Sequence, residues 1–324
     1  MPDFAPSFHL GVNYPWLHYA EDFGISGGTV EGVSHTDKRK KVAMDFAAIR
    51  DSGAQVVRWF LFGDGRGGFV SEDGIPREPE QFLFADVRAA LDLAAEHNLK
   101  LCLSLIDYLW LQEHGGKRAA HPHEHVLHFA AAREAFLLRV LIPLFRGFRG
   151  HPALFAWEIA NEPEWAIREF SREPAAQLHF ADFRAYASEI ARAIHEFGHV
   201  PATIGSARLM WVRAWSEVPV DFYQAHYYPS AERETPGGLA KQLRELSRLD
   251  KPLWLGEIPA RDASDAEYSL HGALEVCRDA GLSGAAIWRW TKPESQDTDI
   301  SAGQIDPAEL KIWSRQERRR AQRA

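Results

Sequence analysis

Short apolar runs alternate with longer amphipathic segments along most of the chain. The apolar runs predict eight strands, at residues 8–12, 56–61, 99–106, 154–159, 200–204, 222–226, 253–256 and 285–288. Most of these runs are continuously apolar and show no alternation with polar residues. That pattern is typical of parallel strands that are covered on both faces.

The segments between the strands have a helical period. They predict helices at residues 37–51, 85–97, 126–146, 175–196, 239–249 and 265–279, and a shorter helix at 209–215. Eight alternations of strand and helix fit either a closed barrel or an open doubly wound sheet.

The position of the polar residues decides between these two architectures. The glycine-rich stretch at 63–68 lacks the spacing of a dinucleotide-binding loop. Polar and aromatic residues instead follow the carboxyl ends of many different strands, which is where a barrel builds its site. We therefore predict an α/β fold, a single (β/α)8 TIM-barrel domain over residues 1–324, with a frayed tail from about residue 315.

Composition narrows the classes of partner. The 324 residues are 46% hydrophobic and 25% charged, with a formal net charge of −8, which argues against nucleic acid as a partner. No window is long and apolar enough to predict a membrane span, and the first ten residues do not resemble a signal peptide. A cytoplasmic location is favoured, and a processed secreted form is also compatible with the sequence.

Two glutamates stand at the ends of predicted strands. Glu162 follows Asn161 and precedes Pro163 at the end of the fourth strand, and Glu257 closes the seventh. In a closed barrel of eight strands these two ends face each other across the axis, so both carboxylates can flank one small substrate. Cleavage of a glycoside uses such a pair, one acid to protonate the leaving oxygen and one to attack or to activate water. Their separation decides between retention and inversion, and the sequence leaves it open.

The stretch Asn161-Glu162-Pro163 on the fourth strand, together with Glu257 on the seventh, resembles the clan of retaining (β/α)8 glycoside hydrolases. The nearest members are of the cellulase and β-mannanase type, glycoside hydrolase family 5, and the resemblance covers nearly the whole chain. It implies that Glu162 is the general acid/base and Glu257 the nucleophile. It also implies that Asn161 binds the sugar 2-hydroxyl.

Further positions match the same clan. Arg58 on the second strand resembles the arginine that supports the nucleophile, and His226 with Tyr228 resembles the His-x-Tyr pair after the sixth strand. Trp288 on the eighth strand resembles the tryptophan beneath the cleaved sugar. Hydrogen bonds from Arg58 and Tyr228 to ionised Glu257 are expected to lower the pKa of that carboxyl group.

Two rim segments supply further candidates for substrate binding. In the first rim loop, Asn13 and Trp16 lie where a sugar could contact them. After the third strand, many cellulase-like proteins have a histidine, whereas this chain has Asp107, followed by Trp110. An aspartate there could bind a pair of sugar hydroxyls and, with Trp110, restrict the depth of the site.

Five histidines lie close together in one predicted loop and the start of the next helix. They are His114, His121, His123, His125 and His128. Their spacing matches no standard zinc site, and the chemistry of the acid pair needs neither a metal nor another cofactor, so we predict none. A metal-dependent hydrolase that uses this loop is the alternative, and it predicts bound metal and loss of activity with a chelator.

The sequence thus predicts a retaining hydrolase that acts on a β-linked glycan or glycoside through a covalent intermediate. A carbohydrate is the expected partner. The alternative is a non-hydrolytic carbohydrate-binding or scaffold protein on the same barrel, since the fold does not fix function. Transglycosylation is a variant of the first hypothesis. The sugar, the linkage, endo or exo action and the oligomeric state stay open.

Overall fold

Eight parallel strands close into a barrel in this computed structural model. It describes residues 8–18, 20–24, 32–63, 65, 67–111, 126, 128–172, 178–232, 238–246, 248–262, 267–290 and 303–321. The barrel strands are β1 (His9–Asn13), β2 (Val56–Phe60), β5 (Lys100–Asp107), β6 (Leu154–Asn161), β7 (Ala202–Ser206), β8 (Tyr223–His226), β9 (Leu253–Pro259) and β10 (Gly284–Trp288). A separate antiparallel hairpin follows β2 and consists of β3 (Phe69–Glu72) and β4 (Ile75–Pro79). The barrel closes because β1 pairs with both β2 and β10.

Helices surround the barrel. They are α1 (Thr36–Ser52), α2 (Leu83–Glu96), α3 (Tyr108–Leu111), α4 (Ala130–Phe136), α5 (Ile142–Gly147), α6 (Phe180–Ala193), α7 (Gly238–Glu245), α8 (Leu270–Asp279) and α9 (Pro307–Ala321). A π-helical turn (Leu137–Leu141) joins α4 to α5, another (Ile194–Gly198) extends α6, and 3-10 turns occupy Pro163–Ala166 and Leu209–Trp215. Among the described helices, none has the length and apolar character that crossing a membrane requires.

The apolar positions of α1 show why these segments are helical. Val42, Phe46 and Ile49 recur at helical spacing and are fully buried, whereas Met44 on the other face is 70% exposed. The helix ends at Gly53, whose φ of 95° is a left-handed conformation that glycine adopts without a steric penalty.

The predicted barrel is confirmed, and each of its strands begins within two residues of the predicted start. The sequence did not predict the β3–β4 hairpin. The C-terminal segment also differs from the frayed tail that we expected, because it forms α9 as far as Ala321. Leu310 and Trp313 of α9 are buried, and Glu317 forms an ion pair with Arg278 of α8, so the helix packs on the barrel.

The buried side chains inside the barrel form two groups, one apolar and one polar. Near the strand starts, a cluster of buried side chains includes Val56, Cys102 and Trp254. Further along the strands lie buried polar side chains, and two glycines leave the space for them. A Cβ atom at Gly205 would lie 2.6 Å from Glu158 Oε1, and one at Gly256 would lie 2.6 Å from the Gln224 side chain.

Candidate active site

Arg58 is the centre of the buried polar group. Its guanidinium donates two hydrogen bonds to Glu158, both 2.6 Å long, and one of 2.6 Å to Oε1 of Glu257. It also donates to Oδ1 of Asn13 at 2.9 Å and to Oδ1 of Asn161 at 2.6 Å. One arginine therefore fixes four side chains from three other strands.

The pair of Arg58 and Glu158 is ionised although both side chains are fully buried. Burial lowers the pKa of Arg58, but the carboxylates of Glu158 and Glu257 outweigh it, so the pKa is raised. Burial raises the pKa of Glu158, but the charge and hydrogen bonds of Arg58 outweigh it, so the pKa is lowered. Glu158 also accepts hydrogen bonds from Ser104 at 3.1 Å and from Gln224 at 2.8 Å.

Glu158, Ser104 and Gln224 were not among the predicted site residues. The available signal was the presence of polar side chains inside strands that are otherwise apolar, as in Ala156-Trp-Glu-Ile. Burying a carboxylate without a partner is costly, so such a position implies a buried cation close by. Arg58 is that cation.

Glu257 lies in β9 and is 4% exposed. Besides the bond from Arg58, its Oε2 accepts a 2.6 Å hydrogen bond from the Tyr228 hydroxyl. Both donors lower the pKa of Glu257, as expected, but burial is the larger influence and the net shift is upward. The pKa of Glu257 is raised by burial and by the charge of Glu162, against the opposing effects of His226, Arg58 and Tyr228.

Glu162 lies directly after β6, in a left-handed backbone conformation with φ 49° and ψ 43°. Such a conformation is unfavourable for a residue other than glycine, and it occurs often at functional sites. Pro163 then begins a 3-10 turn that places Trp165 next to the Glu162 side chain. The indole Nε1 of Trp165 donates a 2.9 Å hydrogen bond to Glu162 Oε2. The side chain of Glu162 is 16% exposed, against 5% for that of Glu257.

The two predicted catalytic carboxylates lie close together. One carboxylate oxygen of Glu162, one of Glu257 and a ring nitrogen of His226 all lie within 4.8 Å of one another. His226 Nδ1 is 2.8 Å from Glu162 Oε1 and 3.6 Å from Glu257 Oε1. Burial is the main cause that lowers the pKa of His226, to about 4, so this histidine is neutral near neutral pH.

A metal ion could in principle be held by this same group of Glu162, His226 and Glu257. Of the histidine-rich loop, His114, His121, His123 and His125 lie outside the described residues, and His128 lies just before α4. The absence of a metal from the reaction therefore stays a prediction.

Aromatic side chains form a wall beside the carboxylates. Trp288, which is 7% exposed, packs with Phe60, Trp16 and Tyr228 in a cluster separate from the main core. The ring centroids of Trp16 and Trp288 are 6.2 Å apart, and those of Phe60 and Trp288 are 6.4 Å apart. The structure thus brings Trp16, Tyr228 and Trp288 together as predicted, and it adds Phe60.

Asn13, Asn161 and Asp107 also belong to the site. Asn13 accepts from Arg58, and its Nδ2 donates to the backbone oxygen of Gly256 at 2.9 Å, next to Glu257. Asn161 Nδ2 donates to Asp107 Oδ2 at 2.7 Å. Burial is the main cause that raises the pKa of Asp107, to about 7.

Trp110 does not face the site. Its side chain is fully buried among Phe62, Phe69 and Phe136, with ring centroids 5.4–6.2 Å away. A Cβ atom on Gly65 would come within 2.7 Å of its indole nitrogen. We therefore correct the predicted role of Trp110: it packs the loop after β2 against α4 and has no face left for a sugar.

Comparison with known proteins gives relatives that match most of the chain. No family model matches it. A mannan endo-1,4-beta-mannosidase of Mytilus edulis is 23% identical across a match that covers 91% of this chain and 84% of that protein. A mannan endo-1,4-beta-mannosidase of Cryptopygus antarcticus is also 23% identical, across a match that covers 87% of this chain and 80% of that protein.

Solved structures give the same picture of the fold. The beta-mannanase from the blue mussel Mytilus edulis superposes with a TM-score of 0.73 at 22% identity and covers 92% of this chain and 94% of its own. The beta-1,4-D-mannanase from Cryptopygus antarcticus superposes with a TM-score of 0.76 at 17% identity, with 95% and 89% covered. At these identities the structural likeness establishes the barrel fold.

Proposed function

We propose that this chain, an O-glycoside hydrolase of the retaining (β/α)8 clan, cleaves β-1,4-mannosidic bonds within mannan. The resemblance to that clan stated from the sequence is confirmed by the relatives. The observation that supports the proposal most directly is the closeness of Glu162 and Glu257, with one oxygen of each within 4.8 Å. Carboxyl groups about 5–5.5 Å apart are typical of retaining enzymes, since a wider gap is needed to place a water for inversion.

In the first step, Glu257 attacks the anomeric carbon while Glu162 gives its proton to the leaving oxygen. Arg58 and Tyr228 hold one oxygen of Glu257 each, so the attacking group has a fixed position. The hydrogen bonds to Glu162 from Trp165 and at His226 Nδ1 likewise fix the proton donor. The leaving group departs with the proton, and Glu257 becomes an ester of the sugar.

In the second step, Glu162 is the base that takes a proton from water. The negative charge of Glu257 has been lost to the ester bond, so the ionised form of Glu162 no longer faces a second carboxylate. Water attacks the anomeric carbon from the face that the leaving group left. The product keeps the β configuration, and both glutamates return to their starting states. A sugar hydroxyl in place of water would give transglycosylation.

The proposal of mannan as the substrate is supported by the two relatives, which are both mannan endo-1,4-beta-mannosidases. The aromatic wall of Trp16, Phe60 and Trp288 offers apolar faces to a pyranose ring, and the buried amides and carboxylates beside it offer hydrogen bonds to its hydroxyls. This combination suits a neutral sugar.

The first experiment combines product analysis with trapping. Wild-type protein is incubated with mannopentaose, and proton NMR follows the anomeric configuration of the first products; β products are expected. An activated 2-deoxy-2-fluoro-mannoside is expected to leave a stable adduct, which peptide mass spectrometry should find on Glu257. Glu217→Gln, at a glutamate that is 70% exposed and pairs with Arg184, is the matched control for Glu162→Gln and Glu257→Gln, which should both lose activity.

Two outcomes would contradict the proposal. Initial α products would show an inverting mechanism. Binding of manno-oligosaccharides without hydrolysis or adduct would favour the non-hydrolytic alternative.

A further inference from the structure

Asp107 and Asn161 lie side by side at the ends of adjacent strands. They are register partners between β5 and β6, and Asn161 Nδ2 donates to Asp107 Oδ2 at 2.7 Å. Both residues are buried, at 7% and 4% exposure. The contact is therefore set by the register of the barrel, because neither residue belongs to a rim loop.

The amide of Asn161 has one orientation that satisfies both of its neighbours. Its Oδ1 accepts a 2.6 Å hydrogen bond from Arg58, while its Nδ2 donates to Asp107. Arg58 has only donors, and an ionised carboxylate has only acceptors. A reversed amide would set donors against the guanidinium and an acceptor against the carboxylate, so both contacts would become repulsive.

The two groups that hold the amide are themselves fixed. The backbone N–H of Leu109 donates to Asp107 Oδ1 at 2.8 Å, and Glu158 binds Arg58 with two hydrogen bonds. An amide NH2 group has two donors, and the bond to Asp107 uses one of them. The second N–H of Asn161 is then the donor left for the sugar 2-hydroxyl, which the resemblance implies that this residue binds.

We propose that Asp107 is a positioning residue, which fixes the Asn161 amide so that its second N–H is presented to the 2-hydroxyl of the sugar being cleaved. It acts on hydrolysis through Asn161 and does not bind the sugar itself. A histidine at this place could donate or accept, depending on its tautomer, whereas the carboxylate accepts. The inference rests on the proposed glycoside hydrolysis and deepens it.

The expected kinetic signature is a change in kcat more than in KM. A hydrogen bond to the 2-hydroxyl strengthens as the transition state forms, so a poorly oriented amide costs more in the transition state than in the bound substrate. Asp107→Asn replaces one carboxylate oxygen with an NH2 group. This group must face either the Leu109 N–H or the Asn161 Nδ2, which are both donors, so one of the two hydrogen bonds is lost. This variant is expected to fold, because a neutral amide costs less to bury than a carboxylate.

The test is a double-mutant cycle with mannopentaose as substrate. Asp107→Asn should lower kcat about 10- to 100-fold, the range of a lost hydrogen bond to a charged group, and change KM less than about 3-fold. In the Asn161→Ala background, the same Asp107→Asn change should alter kcat less than about 2-fold, because the group it positions is absent. Asp107→Ser, which also removes the carboxylate, should behave in the same way.

The inference is overturned if the effects of Asp107→Asn and Asn161→Ala multiply, since that result shows an independent contact with the sugar. It is also overturned if both Asp107 variants keep wild-type kcat. Failure of the proposed function is distinguishable from either result. In that case, the wild-type protein itself would neither hydrolyse mannopentaose nor form an adduct on Glu257.

Discussion

The guanidinium of Arg58 and the carboxylate of Glu158 form two hydrogen bonds of 2.6 Å inside the barrel, where neither side chain is exposed. Arg58 also holds Glu257, Asn13 and Asn161, so the position of these three residues depends on a charge pair that no substrate needs to touch. The same buried ion pair therefore contributes to the stability of the barrel and holds the residues of the site in position.

Glu158→Gln should destabilise the protein strongly. Removing one partner of a buried ion pair leaves the other charge poorly compensated, which typically costs about 3–5 kcal/mol. Denaturant unfolding should show this loss as a lower midpoint. Glu217→Gln removes the exposed partner of Arg184 and should change the free energy of unfolding by less than about 1 kcal/mol. Equal effects of the two substitutions would contradict a structural role for the buried pair.

Tyr228→Phe should slow catalysis while leaving the fold intact. The substitution removes the hydroxyl that donates to Glu257 Oε2 at 2.6 Å, and the ring can remain in the aromatic wall. Hydrogen bonds to charged groups are worth about 1.5–3 kcal/mol, so kcat/KM should fall about 10- to 100-fold. Tyr223→Phe, which removes a hydrogen bond to Asp250 away from the site, is the matched control and should keep its activity. A similar loss in both variants would show a general effect of packing.

The position of the catalytic pair could be predicted from the sequence because strand ends are easy to find. Apolar runs mark the strands; Glu257 follows such a run directly, and Glu162 follows one after Asn161. In a closed barrel, the strand number alone brings those ends to opposite sides of the axis. The prediction that these two residues form a pair therefore depended on the strand topology and needed no knowledge of side-chain geometry.

Side-chain burial could not be predicted in the same way. Trp110 is at a strand end like the residues of the site, but the loop after β2 covers its ring. The pKa of Glu257 depends on a balance between burial and hydrogen bonds, and the sequence shows only the donors. The β3–β4 hairpin is short and half exposed, and Pro76 and Pro79 interrupt the pattern that marks a strand.

Azide should distinguish the roles of the two glutamates. In Glu162→Ala, a substrate with an activated leaving group can still form the ester with Glu257, and azide can then replace water without a base. The product is expected to be the β-mannosyl azide. In Glu257→Ala, azide can enter the cavity of the lost nucleophile and give the α-mannosyl azide in one displacement. Proton NMR identifies the two products, and the opposite assignment would reverse the proposed roles.

Treatment with a chelator should leave activity unchanged. The proposed steps use only Glu162, Glu257 and the groups that hold them, so no metal ion is required for the displacement or for the proton transfer. The protein is dialysed against EDTA, and both hydrolysis of mannopentaose and the metal content are measured. Loss of activity that zinc restores would contradict the metal-free mechanism, whether the metal is bound by the histidine-rich loop between His114 and His128 or by Glu162, His226 and Glu257.

The stability of Asp107→Asn relative to wild type should depend on pH. Burial raises the pKa of Asp107 in the folded protein to about 7, whereas an unfolded aspartate has a pKa of about 3.9. Between these values, the folded protein binds more protons at this position than the unfolded chain does, so the stability contributed by Asp107 falls as pH rises. Asparagine does not titrate. The melting temperature of Asp107→Asn minus that of wild type should therefore be smallest near pH 4, increase towards pH 7 and level off above it.

Asp107→Ser is the control for this pH dependence, because it also removes the titrating group. Its melting temperature can differ from that of Asp107→Asn at every pH, since its packing differs. The change with pH relative to wild type should nevertheless be the same for both variants, because it comes from the proton that only the wild-type side chain binds. A difference that stays flat from pH 4 to pH 8 in both variants would mean that Asp107 titrates alike in the folded and unfolded states. The carboxylate next to Asn161 would then be ionised throughout the working range of the enzyme.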